Sequence, residues 1–341
     1  MTLLKNRVLV ACCALAFSTF SQAQETGKLN LRFEARGDYQ REYVDGDVVD
    51  DETGFKGKFL NFMMTGNLTK NLSYAFRHRL NKTSLNSSFF NATDFLYLDW
   101  RATDWLSLSA GKQIVYIGGY EYDRAPIDLY FCSEFWQQVP CYEWGVSAAY
   151  HFNNDADQLI FQVCESPFRN FAQNRDVYSY NLLWMGKHGF LSTLWSVNMI
   201  EYAKGKYINY IALGNEVKVS DQLKAEIDFM NRATDHQTFL LKDCSVMAEV
   251  SYMPTKKVNV FAKVTYDVNN TDNDGDYTVT SGSELTRFGG GVEFYPLADD
   301  RLRLHANYSY VTGTNTNPDG VLRNKQSVVD VGLTWRLKTK L

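Results

Sequence analysis

The chain has 341 residues, 35 Lys and Arg against 39 Asp and Glu, a net charge of −4, and 15% aromatic residues. That balance offers no basic face for nucleic acid, and after Ala23 no stretch approaches the roughly 20 apolar residues of a spanning helix. A mean hydropathy of −0.33 is no argument against a membrane protein built of strands, because alternating faces average out.

The chain opens with a targeting segment. Lys5 and Arg7 precede the apolar run 8–17, and Ser21-Gln22-Ala23 places small residues where a signal peptidase reads. Residues 1–23 are expected to be a cleaved secretory signal, leaving 24–341 as a single domain. Leu9-Val10-Ala11-Cys12 resembles a lipobox, but only Val8 to Ala11 separate Arg7 from that cysteine, too few for an ordinary apolar core. Loss of Lys5 and Arg7 takes the net charge from −4 to −6.

From Leu29 onward, apolar and polar residues alternate. In 223–229, Leu223, Ala225, Ile227 and Phe229 interleave with Lys224, Glu226 and Asp228. In 302–310, Leu302, Leu304, Ala306, Tyr308 and Tyr310 interleave with Arg303, His305, Asn307 and Ser309. Side chains on a strand point alternately to opposite faces, so each segment has one apolar and one charged face. Segments of this kind run over 29–43, 59–68, 72–81, 94–101, 105–117, 143–152, 158–164 and 178–185. They continue over 190–202, 207–219, 223–232, 244–253, 258–267, 285–295, 302–311 and 327–337. An export signal and this many strands point to an all-β fold: a transmembrane antiparallel β-barrel of about 16 strands, apolar toward lipid and charged toward a wet lumen.

The connections alternate in length. Short turns occupy 69–71, 102–104, 153–157, 186–189, 220–222, 254–257 and 296–301. Longer ones lie between them at 44–58, 82–93, 118–142, 165–177, 233–243, 268–284 and 312–326, with 203–206 the exception. Short turns on one side and long loops on the other are the asymmetry of an outer-membrane barrel. Sixteen strands enclose an aqueous channel, whereas eight are filled by their own side chains.

By parity the lumen receives Arg32, Arg36, Arg77, Arg79, Arg101, Lys224, Lys263, Arg287, Arg301, Arg303 and Arg336. It also receives Glu34, Asp38, Asp99, Glu226, Asp228, Glu249, Asp267, Glu293 and Asp330. So many charges need water around them. Lys112 falls on the lipid side unless a bulge at Gly111 flips the register, which is the expectation here.

The longest connection, 118–142, carries Ile127, Leu129, Tyr130, Phe131, Phe135 and Trp136, more apolar surface than a solvated loop needs. Packed on the inner wall, it would set Glu121, Asp123, Arg124 and Asp128 at a constriction, with Arg124 near Lys112, Arg77 and Arg79. An outward loop that covers a neighbour is the competing arrangement.

Leu96-Tyr97-Leu98-Asp99-Trp100-Arg101, Leu106-Ser107-Leu108, Gly111-Lys112-Gln113 and Tyr122-Asp123-Arg124-Ala125-Pro126 resemble the phosphate-selective porin O and P family, most closely its Bacteroidetes members. The resemblance extends over the mature chain in layout and is specific across about 94–150. It implies a sixteen-stranded outer-membrane channel, usually a homotrimer, whose third external loop folds inward. The family's best-known members select phosphate with a lumenal arginine ladder and a lysine cluster. Here 118–142 has no lysine cluster and the lumenal acids nearly balance the arginines, so channel function carries over more directly than phosphate selectivity.

No catalytic constellation stands out. There is no Gly-x-Ser-x-Gly elbow, and His305 and Ser309 are separated by about 13 Å of strand. Asp272-Asn273-Asp274-Gly275-Asp276 lacks the full pattern of a calcium loop. Cys132, Cys141, Cys164 and Cys244 remain after the signal, and Cys132–Cys141 is either a short bridge or two free thiols. The expectation is a passive porin for small hydrophilic solutes or anions, without enzyme activity, cofactor or metal. It would sit in the outer membrane of a Gram-negative cell, against lipid and lipopolysaccharide. The alternative is a barrel subunit of a surface assembly, closed inside and binding partners through its external loops.

Overall fold

The computed structural model describes residues 29–83, 88–172, 175–234, 241–317 and 325–340; the expected signal segment lies outside them. The first strands are β1 Leu29–Val44, the two-residue β2 Asp47–Val48, β3 Gly54–Asn67, β4 Leu72–Arg79, β5 Thr93–Thr103 and β6 Leu106–Ile114. Next come β7 Tyr142–Phe152, β8 Asp157–Glu165, β9 Tyr178–His188, β10 Leu191–Ala203, β11 Lys206–Lys218 and β12 Leu223–Ala233. The last are β13 Asp243–Thr255, β14 Val258–Asn269, β15 Ser283–Phe294, β16 Leu302–Thr314 and β17 Gln326–Lys340.

The sixteen long strands each pair antiparallel with their neighbours. The sheet closes because β1 pairs with β3 on one edge and with β17 on the other, from Asn30↔Lys340 to Val44↔Gln326. Closure leaves no open edge, the condition for strands in lipid. Each of the sixteen segments read from alternation coincides with one long strand. Connection lengths also alternate as read, and the exception survives: β10 and β11 meet across Lys204-Gly205, with Gly205 at φ 73°.

Alternation holds where it was clearest. In β12, Glu226 and Asp228 are buried and face inward, while Ile227 between them is 51% exposed on the outer face. Two departures matter. At β3 the register shifts between Arg36↔Phe59 and Gly37↔Gly57, so Lys58 is an inserted residue and the strand runs back to Gly54. At β6 the expected bulge is absent, because Leu96↔Lys112, Tyr97↔Gly111 and Leu98↔Ala110 are in continuous register. Lys112 therefore faces outward, cross-strand from the exposed Leu96, and donates to the Phe90 carbonyl at 2.7 Å. Gly111 answers a different need. It has φ 131°, and a Cβ there would lie 2.3 Å from the Leu96 carbonyl oxygen.

One sector of the interior is dry. Ile200, Ile208, Tyr210, Ala212 and Met230 on the inner faces of β10–β12 cluster with Val115, Ile117, Tyr122, Phe135 and Val139 from the β6–β7 connection. Phe168 and Val279 from two further long connections complete it. The expectation of a charged inner face thus fails over this sector, because loops rather than water cover it.

Candidate functional site

The β6–β7 connection, 115–141, contains two helical turns, α1 Tyr120–Asp123 and α2 Glu134–Gln138. Ser133 caps α2 by accepting from the Trp136 N–H at 3.2 Å. Wall carboxylates take other free N–H groups of these turns. Asp228 of β12 accepts from Tyr120 and Glu121 at 2.9 and 2.8 Å, and Asp267 of β14 accepts from Glu134 at 2.8 Å. A carboxylate on otherwise unsatisfied N–H groups makes strong, charge-assisted bonds.

Charged side chains of the segment bond to the same wall. Lys263 of β14 meets Glu121 at 2.6 Å. Arg124 pairs with Glu249 of β13 at 2.7 Å and with Glu226 of β12. Asp128 pairs with Arg303 of β16 at 2.7 Å and with Arg336 of β17. The Tyr130 hydroxyl donates to Glu293 of β15 at 2.6 Å, and Arg36 of β1 donates to the Leu129 carbonyl at 2.6 Å. Tyr130 stacks on Phe261 at 5.4 Å, with the Arg36 guanidinium 4.6 Å from its ring centre. Two glycines leave room for this approach. A Cβ on Gly214 would lie 2.7 Å from Gly119 Cα, and one on Gly289 would lie 2.8 Å from the Phe131 ring.

Of the residues read as pore-lining, Arg32, Arg36, Arg77, Arg79, Arg101, Arg287 and Arg303 are on inward parity. Arg32 pairs with Glu34 at 2.7 Å, and Arg36 pairs with Asp38 at 2.7 Å. Arg77 and Arg79, both on β4, share Asp94 at 2.7 and 2.9 Å; Arg77 also donates to the Tyr142 hydroxyl. Arg101 reaches Asp155 in a short turn at 3.0 Å. Arg287 is buried and donates to Gln326 at 3.2 Å. Glu121 and Asp128 are spent on wall cations. Burial and the nearby Glu226 and Asp228 push the Asp123 carboxyl up to about 7.

The expected cationic patch does not assemble. Arg124 is nine-tenths buried between two glutamates on β12 and β13, while Arg77 and Arg79 sit on β4 and Lys112 faces the outside. Sequence reasoning placed Asp228 and Asp267 on the inner face but missed their role as anchors. It also missed a second inserted connection, 270–282. Fully buried Arg232 of β12 bonds Asp276 of that connection at 2.6 Å and Asp243 of β13 at 2.9 Å. Asp276 and Asn273, which had suggested a calcium loop, serve this network instead. The four described cysteines are free thiols, so the Cys132–Cys141 bridge is ruled out.

The family model for the phosphate-selective porins O and P matches residues 29–242. The chain belongs to that family. This porin is accordingly an outer-membrane channel rather than an enzyme. Its fold recurs in the outer membrane channel DcaP of Acinetobacter baumannii, at 12% identity and a TM-score of 0.67 over 93% of this chain and 99% of the other. An anion-selective porin from Comamonas acidovorans is similar at 12% identity and a TM-score of 0.64, over 91% and 99%. The outer-membrane protein OmpT of Vibrio cholerae follows at 11% and 0.61, over 92% and 99%. No curated protein sequence matches the chain.

Proposed function

We propose that this porin is a passive diffusion channel with a mild preference for anions, and that segment 115–141 is its inward-folded constriction. Among the described residues, the bonds of that segment to wall side chains fall on β1, β7, β8, β10 and β12–β17, and the side of β3–β6, where Arg79 and Arg101 keep part of their side chains exposed, is taken as the passage. Arg79 and Arg77 stand toward the long-loop end of that wall, and Arg101 toward the short-turn end. The carrying observation is that Arg77 and Arg79 share one carboxylate, Asp94, so the pair keeps a net positive charge. Excess Arg along a pore favours anions. Arg124, in contrast, is neutralised where it stands.

The proposal includes export through cleavage after Ala23, contact with outer-membrane lipid and lipopolysaccharide, and assembly as a homotrimer. One solved form of V. cholerae OmpT is a trimer, at 12% identity and a TM-score of 0.57. The second reading, a closed barrel that binds partners externally, draws on the dry cluster inside β10–β12. Reversal potential across a salt gradient tests the first reading: Arg79→Glu should move it toward cations. An unchanged potential would remove Arg79 from the pathway.

A further inference from the structure

Beneath segment 115–141, toward the short turns, the lumen holds a cavity of about 550 Å³. Its roof includes Leu129 and Phe131 from the segment, and its walls include Leu223, Met253 and Phe261. These apolar side chains form a patch in a lining that otherwise carries eight cations and eight acids; an apolar surface with polar groups converging on it is the usual form of a small-molecule site.

The charges are not balanced in availability. Arg124, Lys224, Lys263, Arg303 and Arg336 on its lining are all bonded to carboxylates. Lys187 and Lys256 also line it, both exposed, and among the described residues neither has a carboxylate within ion-pair distance. Of the acids on the lining, Asp221 pairs with Lys218, Asp299 with Arg301 and Asp300 with Lys338, while Asp123 is in no ion pair among the described residues and feels Lys187 at longer range. A ligand would therefore find an apolar patch within and, at the edge, the exposed Lys256, with Lys187 nearer to Asp123.

We infer that this cavity binds amphiphilic organic anions: a compact aromatic or aliphatic body lying against Met253 and Phe261, with a carboxylate reaching Lys256 or Lys187. Inorganic anions and short carboxylates gain only the rim charge, which in water is weak. A ring gains the apolar contact as well, so the cavity discriminates by the body of the ligand rather than by its charge. The inference does not depend on current flowing through the barrel.

Calorimetric titration of the full chain in detergent tests it, with sodium benzoate as the probe and sodium acetate and cyclohexylammonium chloride as comparisons. Benzoate should bind about tenfold more tightly than acetate or more. Met253→Asp, at a half-buried position near the end of β13, should abolish benzoate binding while the barrel stays folded. Lys256→Gln combined with Lys187→Gln should weaken it by several-fold. Equal binding of benzoate and acetate, cyclohexylammonium binding as tightly as benzoate, or benzoate affinity unchanged by Met253→Asp would each overturn the assignment. A folded barrel that binds benzoate but passes no current would leave this inference standing and remove the channel reading alone.

Discussion

Arg124 and Arg79 show how little a residue's type says about its freedom. Both are arginines expected at the pore, yet Arg124 lies between Glu226 and Glu249 while Arg79 shares Asp94 with Arg77 and keeps a third of its side chain exposed. Removing Arg124 takes the closest cation from Glu249 and leaves Glu226 with Lys224 alone among the described residues, and breaking a buried ion pair from one side costs about 3–5 kcal/mol. Arg124→Met should accordingly lower the urea midpoint of the barrel, whereas Arg79→Gln should leave it within experimental scatter; equal midpoints for the two variants would contradict this assignment. Asp123 adds a pH dependence. With its carboxyl pushed up to about 7, it is mostly neutral at pH 6 and mostly charged at pH 8. Raising pH thus adds negative charge beneath the constriction, so reversal potential should drift toward cations across that interval. Asp123→Asn should reduce the drift, and a drift of unchanged size in that variant would exclude Asp123 as a contributor. At this scale parity located the lumenal charges from sequence, but pairing was out of reach, because partners such as Arg124 and Glu249 are brought together only by the fold. Lys112 was misplaced because a glycine in a strand signals close approach as readily as insertion.

The strands themselves were legible, since a period of two repeated sixteen times leaves few alternatives. Their inner faces were legible only in part. In β11, Ile208, Tyr210 and Ala212 point inward while Ile211 and Leu213 point outward, so the strand is apolar on both faces and parity alone cannot say which is which. That two-sided apolarity is itself the available signal of a sector covered by loops. The β13 register can be tested at neighbouring positions. Ser251 lines the cavity below the segment, while Val250 is 47% exposed on the outer face. On a cysteine-free background, a charged thiol reagent should label Ser251→Cys and spare Val250→Cys in membranes. Labelling of both at equal rates would contradict the register. The inserted connection 270–282 offers a second test. Among the described residues Arg232 is the cation paired with both Asp243 and Asp276, so Arg232→Leu should expose 270–282 to proteases without unfolding the strands. Resistance equal to that of the parent chain would show that the ion pairs do not hold the connection in place.

For the whole molecule, the sheet fixes a closed wall and the long connections decide how much of its interior carries water. Two of them are held inside by buried ion pairs and by apolar contacts on β10–β12, and the remaining wall, β3–β6, has arginines along it. The account stands on that passage being open. Single-channel recording of the purified barrel in planar bilayers under a salt gradient measures this directly. Discrete, ohmic steps of open current with a reversal potential on the anion side are the predicted result; a folded barrel that stays silent, or one that reverses on the cation side, would contradict it.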